Sequence, residues 1–341
     1  SWTRVLAGVA TDVIAQPGSG SVFYSAIHSS GVFKSTDGGA NWTKLTSGLP
    51  ASNIGRVHLT ISVASPNTLL ASFTARDNKL EGLYRSTDAG ANWTKLVNTP
   101  NVFGGQGWYN VSLAIHPTNS NTIYFGGLSL WRSLDGGTNW TNVSNPRDYF
   151  LDVHPDQHAV AFNPQNPSVI WIGNDGGVWR SDNGGDTWLS RNDGLSLTQF
   201  QSVALHPTND ALAFGGTQDN GIQKSTGNSE WRETRTGDNG STFFDFNTPT
   251  TVYSTYVLGS MIKSLSSGEP GTWATATNGI PFTENVADGR SAFYAPFTMA
   301  PTNPLQLAFG SYRVWYTSDG ATNWNTISGD VTGGGVVSAI T

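Results

Sequence analysis

Seven tryptophans, at positions 42, 93, 140, 188, 231, 273 and 324, recur at spacings of 51, 47, 48, 43, 42 and 51 residues. Five of them close one short pattern. It runs from Ser35 through Asp37 and Gly39 to Trp42, and again from Ser86 through Asp88 and Gly90 to Trp93. The third copy runs from Ser133 through Asp135 to Trp140, the fourth from Ser181 through Asn183 to Trp188, and the fifth from Thr317 through Asp319 to Trp324. Two degraded copies lie between, Ser225 to Trp231, one residue short, and Ser264 to Trp273, two residues long. Self-similarity at this period means one supersecondary unit used repeatedly, with each copy burying its apolar face against the next. That constrains the fold more tightly than any other feature of the chain.

Each copy carries the chemistry of a hairpin turn. Short alternating runs precede it, as in Gly31-Val-Phe-Lys-Ser35 and Gly177-Val-Trp-Arg-Ser181, and a second short strand follows it, as in Trp42-Thr-Lys-Leu45. Between them, an Asp offers a side-chain acceptor to the turn's backbone N–H groups, and the glycines tolerate positive φ. The Trp is a large apolar anchor. With these residues the chain resembles the Asp-box, or BNR-repeat, β-propellers over almost its whole length. That superfamily includes sialidases, xyloglucan-active glycoside hydrolases and sortilin-type receptor domains. The resemblance implies an all-β, seven-bladed β-propeller of four-stranded antiparallel blades with Asp-box turns.

The blades can be parsed directly. In the fourth, strand a is Ala159–Phe162, b is Val169–Ile172, c is Val178–Ser181, and d starts at Trp188. Seven such sets fit between residues 11 and 330, so 1–341 is expected to be one propeller domain. The ends are left over. Ser1–Gly8 resembles a d strand and Val336–Thr341 an a strand, so both are expected to be strands of an incomplete extra blade in a longer multi-blade protein.

Composition narrows the partners. The net charge is −6 and no basic run exists, which excludes the electrostatic footprint of a nucleic-acid binder. No apolar stretch approaches the roughly 20 residues needed to span a bilayer, so no membrane insertion is expected. There are no cysteines. The expectation is an extracellular, secreted bacterial protein, with no signal peptide in this chain, and the sequence assigns no oligomeric state. Asn-x-Ser/Thr occurs at Asn41, Asn92, Asn110, Asn139, Asn142 and Asn239. Three of these are the Asn-Trp-Thr of the repeat itself, so turn chemistry is favoured over glycosylation.

Strand order sorts the loops. The a–b and c–d turns share one face, which makes Asp37, Asp88 and Asp135 structural turn residues. The b–c and d–a loops share the other face, where function is expected. There, Asp152, His154, Asp156 and His158 alternate on the loop into the fourth blade, and Asn174-Asp175-Gly-Gly177 forms its b–c loop. Gln218 and Asp219 lie on the b–c loop of the fifth blade, Asp238 on the loop into the sixth, and Asp288, Arg290, Tyr312 and Arg313 on loops of the seventh. Trp108 and Tyr109 lie on a neighbouring loop.

Three chemical readings compete for this face. The first is glycoside hydrolysis by two carboxylates, about 5–5.5 Å apart for retention or about 6.5–9.5 Å for inversion. Asp175 with Asp219, or Asp156 with either, are the candidate pairs. His154, His158, Gln218, Asp238, Arg290, Arg313, Trp108 and Tyr109 are the substrate-binding candidates. Asn174-Asp-Gly-Gly-Val-Trp-Arg180 is similar to the Asp-x-Gly-Gly-x-Tyr-Arg segment of xyloglucan-active propellers, which implies a catalytic role for Asp175. The second reading is a sialidase that uses Arg56, Arg290 and Arg313. It ranks lower, because the Arg-Ile-Pro motif is missing. The third is a structural cation such as calcium, held by Asp152, His154, Asp156 and His158; otherwise no cofactor is expected. A non-catalytic module binding a glycan or a protein partner needs none of this and stays open beside them.

Overall fold

The computed structural model describes residues 2–144, 153–195, 198–228, 230–281 and 290–340. Among these the chain forms two compact units, Ser1–Leu195 and Ser196–Thr341. The first holds four sheets. They are β1 (Ala10–Ala15), β2 (Phe23–Ile27), β3 (Gly31–Ser35) and β4 (Thr43–Lys44); β5 (Val57–Ile61), β6 (Leu69–Thr74), β7 (Leu80–Ser86) and β8 (Thr94–Lys95); β9 (Ser112–His116), β10 (Asn119–Gly126), β11 (Leu130–Ser133) and β12 (Thr141–Asn142); and β13 (Gln157–Phe162), β14 (Ile170–Asn174), β15 (Gly177–Ser181) and β16 (Leu189–Ser190). The second holds three. They are β17 (Phe200–Leu205), β18 (Leu212–Thr217), β19 (Ile222–Thr226) and β20 (Trp231–Arg235); β21 (Asn239–Phe244), β22 (Val252–Tyr256), β23 (Met261–Ser264) and β24 (Trp273–Thr275); and β25 (Phe297–Ala300), β26 (Asn303–Gly310), β27 (Val314–Thr317) and β28 (Asn325–Thr326).

Every sheet has four strands in consecutive order, and every pairing is antiparallel. The fold class is therefore the seven-bladed β-propeller expected. The second strand of the second blade, β6 (Leu69–Thr74), is buried at every position. The outer strand in five of the blades is only two residues long. Such a short edge offers little template for pairing with another chain. No helix among the described residues is long and apolar enough to cross a membrane.

The box turns form as their residue types dictate. Asp37 accepts hydrogen bonds from the Asn41 backbone N at 2.9 Å, from Asn41 Nδ2 at 2.7 Å and from Ser35 Oγ at 2.8 Å. Ser35 Oγ in turn accepts from Gly39 N at 2.9 Å. Asp88, Asp135 and Asp319 repeat the arrangement, and Asn183 replaces the carboxylate in the fourth blade. The bonds from Asn41, Asn92 and Asn139 hold the carboxyls of Asp37, Asp88 and Asp135 down at about 2. These Asp residues serve their own turns.

The boxes also join neighbouring blades within each unit. Trp93 shares a core cluster with Tyr24 and Val32 from the blade before, and Trp324 with Tyr253, Met261 and Ile280. Trp188 Nε1 donates to Val143 O and Trp324 Nε1 to Ala276 O, both at 2.8 Å. Trp231, first in its unit, is 38% exposed. A second stitch comes from the basic residue that precedes five of the boxes. Lys34 Nζ donates to Ala89 O at 2.8 Å, Arg85 Nη1 to Gly136 O at 3.1 Å, Arg132 Nη1 to Gly184 O at 2.6 Å, Lys224 Nζ to Ser267 O at 2.9 Å and Lys263 Nζ to Gly320 O at 3.0 Å. Each acceptor is a turn carbonyl in the next blade's box. The approach is close enough to demand glycine at the turn after the outer strand. A Cβ on Gly48 would fall 1.9 Å from Trp93 O, and one on Gly279 2.3 Å from Trp324 O.

Residues 2–8 and 336–340 are not in strands. Val337 N donates to Ser311 O at 2.7 Å, and the Val337 side chain lies over Gly310. That single bond ties the segment to the last blade without building a ladder.

Candidate functional site

The fourth blade places its polar loops by a bulge and a tight turn. At the start of β13, Gln157 pairs with Asn174 but Ala159 pairs with Gly173, which leaves His158 as the extra residue. A bulge re-aims a side chain that regular alternation would point elsewhere. Here it brings His158 Nε2 to 2.6 Å from Asp175 Oδ1. Asp156, just before, has φ of 65°. A non-glycine residue there costs of order 1–3 kcal/mol and tends to mark functional positions. Asp152 lies outside the described residues. His154 Nδ1 is 3.0 Å from Pro155 O, and the His154 carbonyl braces the loop by accepting from Gln157 Nε2 at 2.7 Å and Asn174 Nδ2 at 2.9 Å.

Asp175 sits on the turn between β14 and β15. Asn174 Oδ1 accepts from Gly176 N at 3.1 Å. Asn192 clamps the other side, with Nδ2 donating to Gly176 O at 2.9 Å and Oδ1 accepting from Val178 N at 2.7 Å. A Cβ on Gly176 would come 2.4 Å from His154 Cβ, so only glycine lets that side chain pack under the turn.

The two carboxylates meet. An oxygen of Asp156 and one of Asp175 lie within 4.8 Å of each other. Burial raises the Asp156 carboxyl above its ordinary value, and the nearby Asp175 charge raises it further. A hydrogen bond from Asn110 and the charges of His154 and His158 oppose this without cancelling it. Asn110 is fully buried on the loop into the third blade, and its Nδ2 donates to Asp156 Oδ1 and to Gln106 Oε1.

An aromatic surface adjoins the pair. Tyr109 Oη donates to Asp175 Oδ1 at 3.0 Å, and its ring meets the His158 ring edge-on at 4.7 Å. Trp108 lies 5.3 Å from Tyr109, tilted by 40°, and is 61% exposed. Arg56 Nη1 donates to Trp108 O at 3.0 Å and Tyr109 O at 2.8 Å, so it secures this loop's backbone. Asp156, Asp175, His158, Trp108 and Tyr109 are thus brought together.

The second unit carries its own polar loops. Asp219 has φ of 62°, and its backbone N donates to Asp238 Oδ1 at 2.9 Å. The Gln218 carbonyl accepts from Asn220 N at 2.7 Å. Burial, with added charge from Asp238 and Asp219, pushes the Tyr294 hydroxyl up. The guanidinium carbons of Arg290 and Arg313 lie 4.7 and 4.4 Å from the Tyr312 ring centre. Asp288 lies outside the described residues.

Sequence reasoning overlooked three supports. Asn110 reads as a glycosylation sequon, yet it is fully buried, as is Asn239. Asn192 carries no motif, and only its place before Asp193-Gly194 hints at turn chemistry. Arg56, read as a substrate cation, is a loop clamp.

Fold and site together define a propeller with box turns and, on the b–c and d–a loops of its fourth blade, a carboxylate pair beside an exposed aromatic surface. No family model matches the chain, and no curated protein matches it. Among solved structures, it is similar to the GH74 xyloglucanase from Xanthomonas campestris, with 18% identity, a TM-score of 0.46, and coverage of 95% of this chain and 55% of that one. It is also similar to the GH74 enzyme of Niastella koreensis (15% identity, TM-score 0.47, 97% and 67% covered). A third is YCF48 from Cyanidioschyzon merolae (15% identity, TM-score 0.41, 94% and 97% covered). The chain spans about half the length of the Xanthomonas enzyme.

Proposed function

We propose that this chain is an extracellular carbohydrate-active propeller that cleaves glycosidic bonds at Asp156 and Asp175. The observation that carries this is the approach of the two carboxylates to within 4.8 Å, beside an exposed Trp108–Tyr109 pair. Asp156, with its raised carboxyl, is the proton donor to the leaving glycosidic oxygen. Asp175, which accepts hydrogen bonds from His158 and Tyr109, meets the developing positive charge at the anomeric carbon. The short separation belongs to the retaining geometry, in which Asp175 bonds to that carbon and water then displaces it with Asp156 acting as base. Trp108 and Tyr109 offer ring faces to a sugar. Asp219, Gln218 and Asp238 remain the candidates of the second unit, with Arg290 and Arg313. The test is reducing-end release from a panel of neutral and uronate-containing polysaccharides. Proton NMR of the first-formed anomer then separates retention from inversion.

A second reading is a glycan- or protein-binding module. It is favoured by one fact: Asp175 Oδ1 already accepts two hydrogen bonds, from His158 and Tyr109. Binding on a glycan array with no release from any polysaccharide would select it.

A further inference from the structure

We propose that a cavity between the inner strands of the second unit binds an uncharged aromatic small molecule. The cavity measures about 370 Å³ and lies where β17, β21 and β25 run into the turns that follow them. Ligand pockets typically fall between about 300 and 1,000 Å³. Its wall includes Val203 and Leu205 of β17, Phe243 of β21, Met299 of β25 and Phe246 of the turn after β21. Val203 and Leu205 stand two residues apart on a strand, so both face the same side. They are 52% and 68% exposed. Exposed aliphatics scattered singly are ordinary, but these converge with two phenylalanine rings and a thioether on one concavity. The turns hold that wall in place. Asp245 Oδ1 accepts from Asn247 N at 2.9 Å and Thr248 N at 2.8 Å, which fixes the turn that carries Phe246. Thr208 N donates to His206 Nδ1 at 3.3 Å across the turn after β17. Phe243 meets the Phe297 ring edge-on at 5.0 Å, which sets its plane.

The wall selects the ligand. Among the described residues no charged side chain lines the cavity. Its one polar side chain, Thr242, is buried with its hydroxyl 3.2 Å from Ser202 Oγ. A sugar would bury hydroxyls without partners here, and a charged group would lose its hydration without gaining an ion pair. An aromatic ring loses neither. The phenylalanine rings offer it faces and edges, and the Met299 thioether adds a polarisable contact. The cavity lies at the end of β21 away from Asp238, so it is separate from the polar loops of the same unit. It does not depend on the hydrolase reading.

The experiment is fluorescence titration of the full chain with phenylnaphthylamine, an uncharged aromatic probe that emits strongly only when shielded from water. Saturable emission is expected. Val203→Trp fills the cavity, and Leu205→Asp puts a charge on its wall. Each should weaken binding at least tenfold. Both start from exposed positions, so the fold should hold. Far-ultraviolet circular dichroism checks this, and if one variant fails to fold the other decides. Leu265→Asp, which changes an exposed leucine outside the cavity, should bind as the parent does. A neutral oligosaccharide should not displace the probe. The proposal is overturned by the absence of saturable emission, or by unchanged binding in either folded cavity variant. A loss in Leu265→Asp equal to theirs, or displacement by the oligosaccharide, overturns it too. No glycan cleavage is measured, so failure here is separate from failure of the hydrolase reading.

Discussion

His158 Nε2 lies 2.6 Å from Asp175 Oδ1 because a one-residue bulge turns His158 out of the regular alternation of β13. Tyr109 Oη reaches the same oxygen at 3.0 Å. The two bonds fix one carboxylate as an acceptor and leave the neighbouring Asp156 in a half-buried place where its proton is retained to higher pH.

The rise at Asp156 is testable without substrate. Asp175 carries one of the negative charges that raise Asp156, so Asp175→Asn should move the Asp156 midpoint downward, toward 3.8. The carboxyl carbon of Asp156, followed by NMR against pH, reports it; an unmoved midpoint contradicts the coupling. The stability consequence has a definite sign. A folded value above the unfolded one contributes stability at pH below the unfolded value, and that contribution is lost as pH rises through the folded value.

The boxes act in the opposite sense. Asp37, Asp88 and Asp135 sit at about 2, below their unfolded value of 3.8, through bonds from Asn41, Asn92 and Asn139. Their contribution is present above pH 3.8 and lost as pH falls from there toward 2. Asp88→Asn should therefore flatten the acid limb of the melting-temperature profile. An acid limb identical to the parent's would show that the box carboxylates do not carry it.

Trp324 is buried against the preceding blade, with Nε1 on Ala276 O, whereas Trp231 is partly exposed. Trp324→Ala should cost about 3–5 kcal/mol in urea unfolding. Trp231→Ala should cost much less. Equal losses at the two positions would show that the boxes do not stitch blades through their tryptophans.

Trp108 is exposed and makes no hydrogen bond to the carboxylates. Trp108→Ala should weaken glycan affinity about tenfold, equivalent to about 1.4 kcal/mol, and raise KM with little change in kcat. A kcat that falls while KM holds would move Trp108 from substrate binding to the chemistry.

The blades were legible because the box is a local code. Ser35, Asp37, Gly39 and Trp42 each have one job within eight residues, and the pattern survives at five positions. The polar face was legible as a set of loops, since Asp-Gly and Asn-Gly mark turns wherever they fall. Its geometry was not. His158 depends on a bulge, which changes register by one residue and leaves no compositional mark. Asn110 meets Asp156 across 46 residues of chain. Its Asn-Val-Ser context signals a surface sequon while the side chain is buried. The basic stitch was hidden for a similar reason: Lys34 finds its acceptor, Ala89 O, 55 residues further on, in the next blade.

The central claim is that Asp156 and Asp175 are a working acid–nucleophile pair. It is tested most directly by measuring polysaccharide cleavage and polysaccharide binding side by side in the parent, Asp156→Asn and Asp175→Asn. The amide keeps each side chain's shape but carries neither the proton nor the charge. Cleavage should fall by at least about a hundredfold in both variants, the lower range for a general acid, while binding stays within a few-fold of the parent. Variants that cleave as fast as the parent would contradict the account.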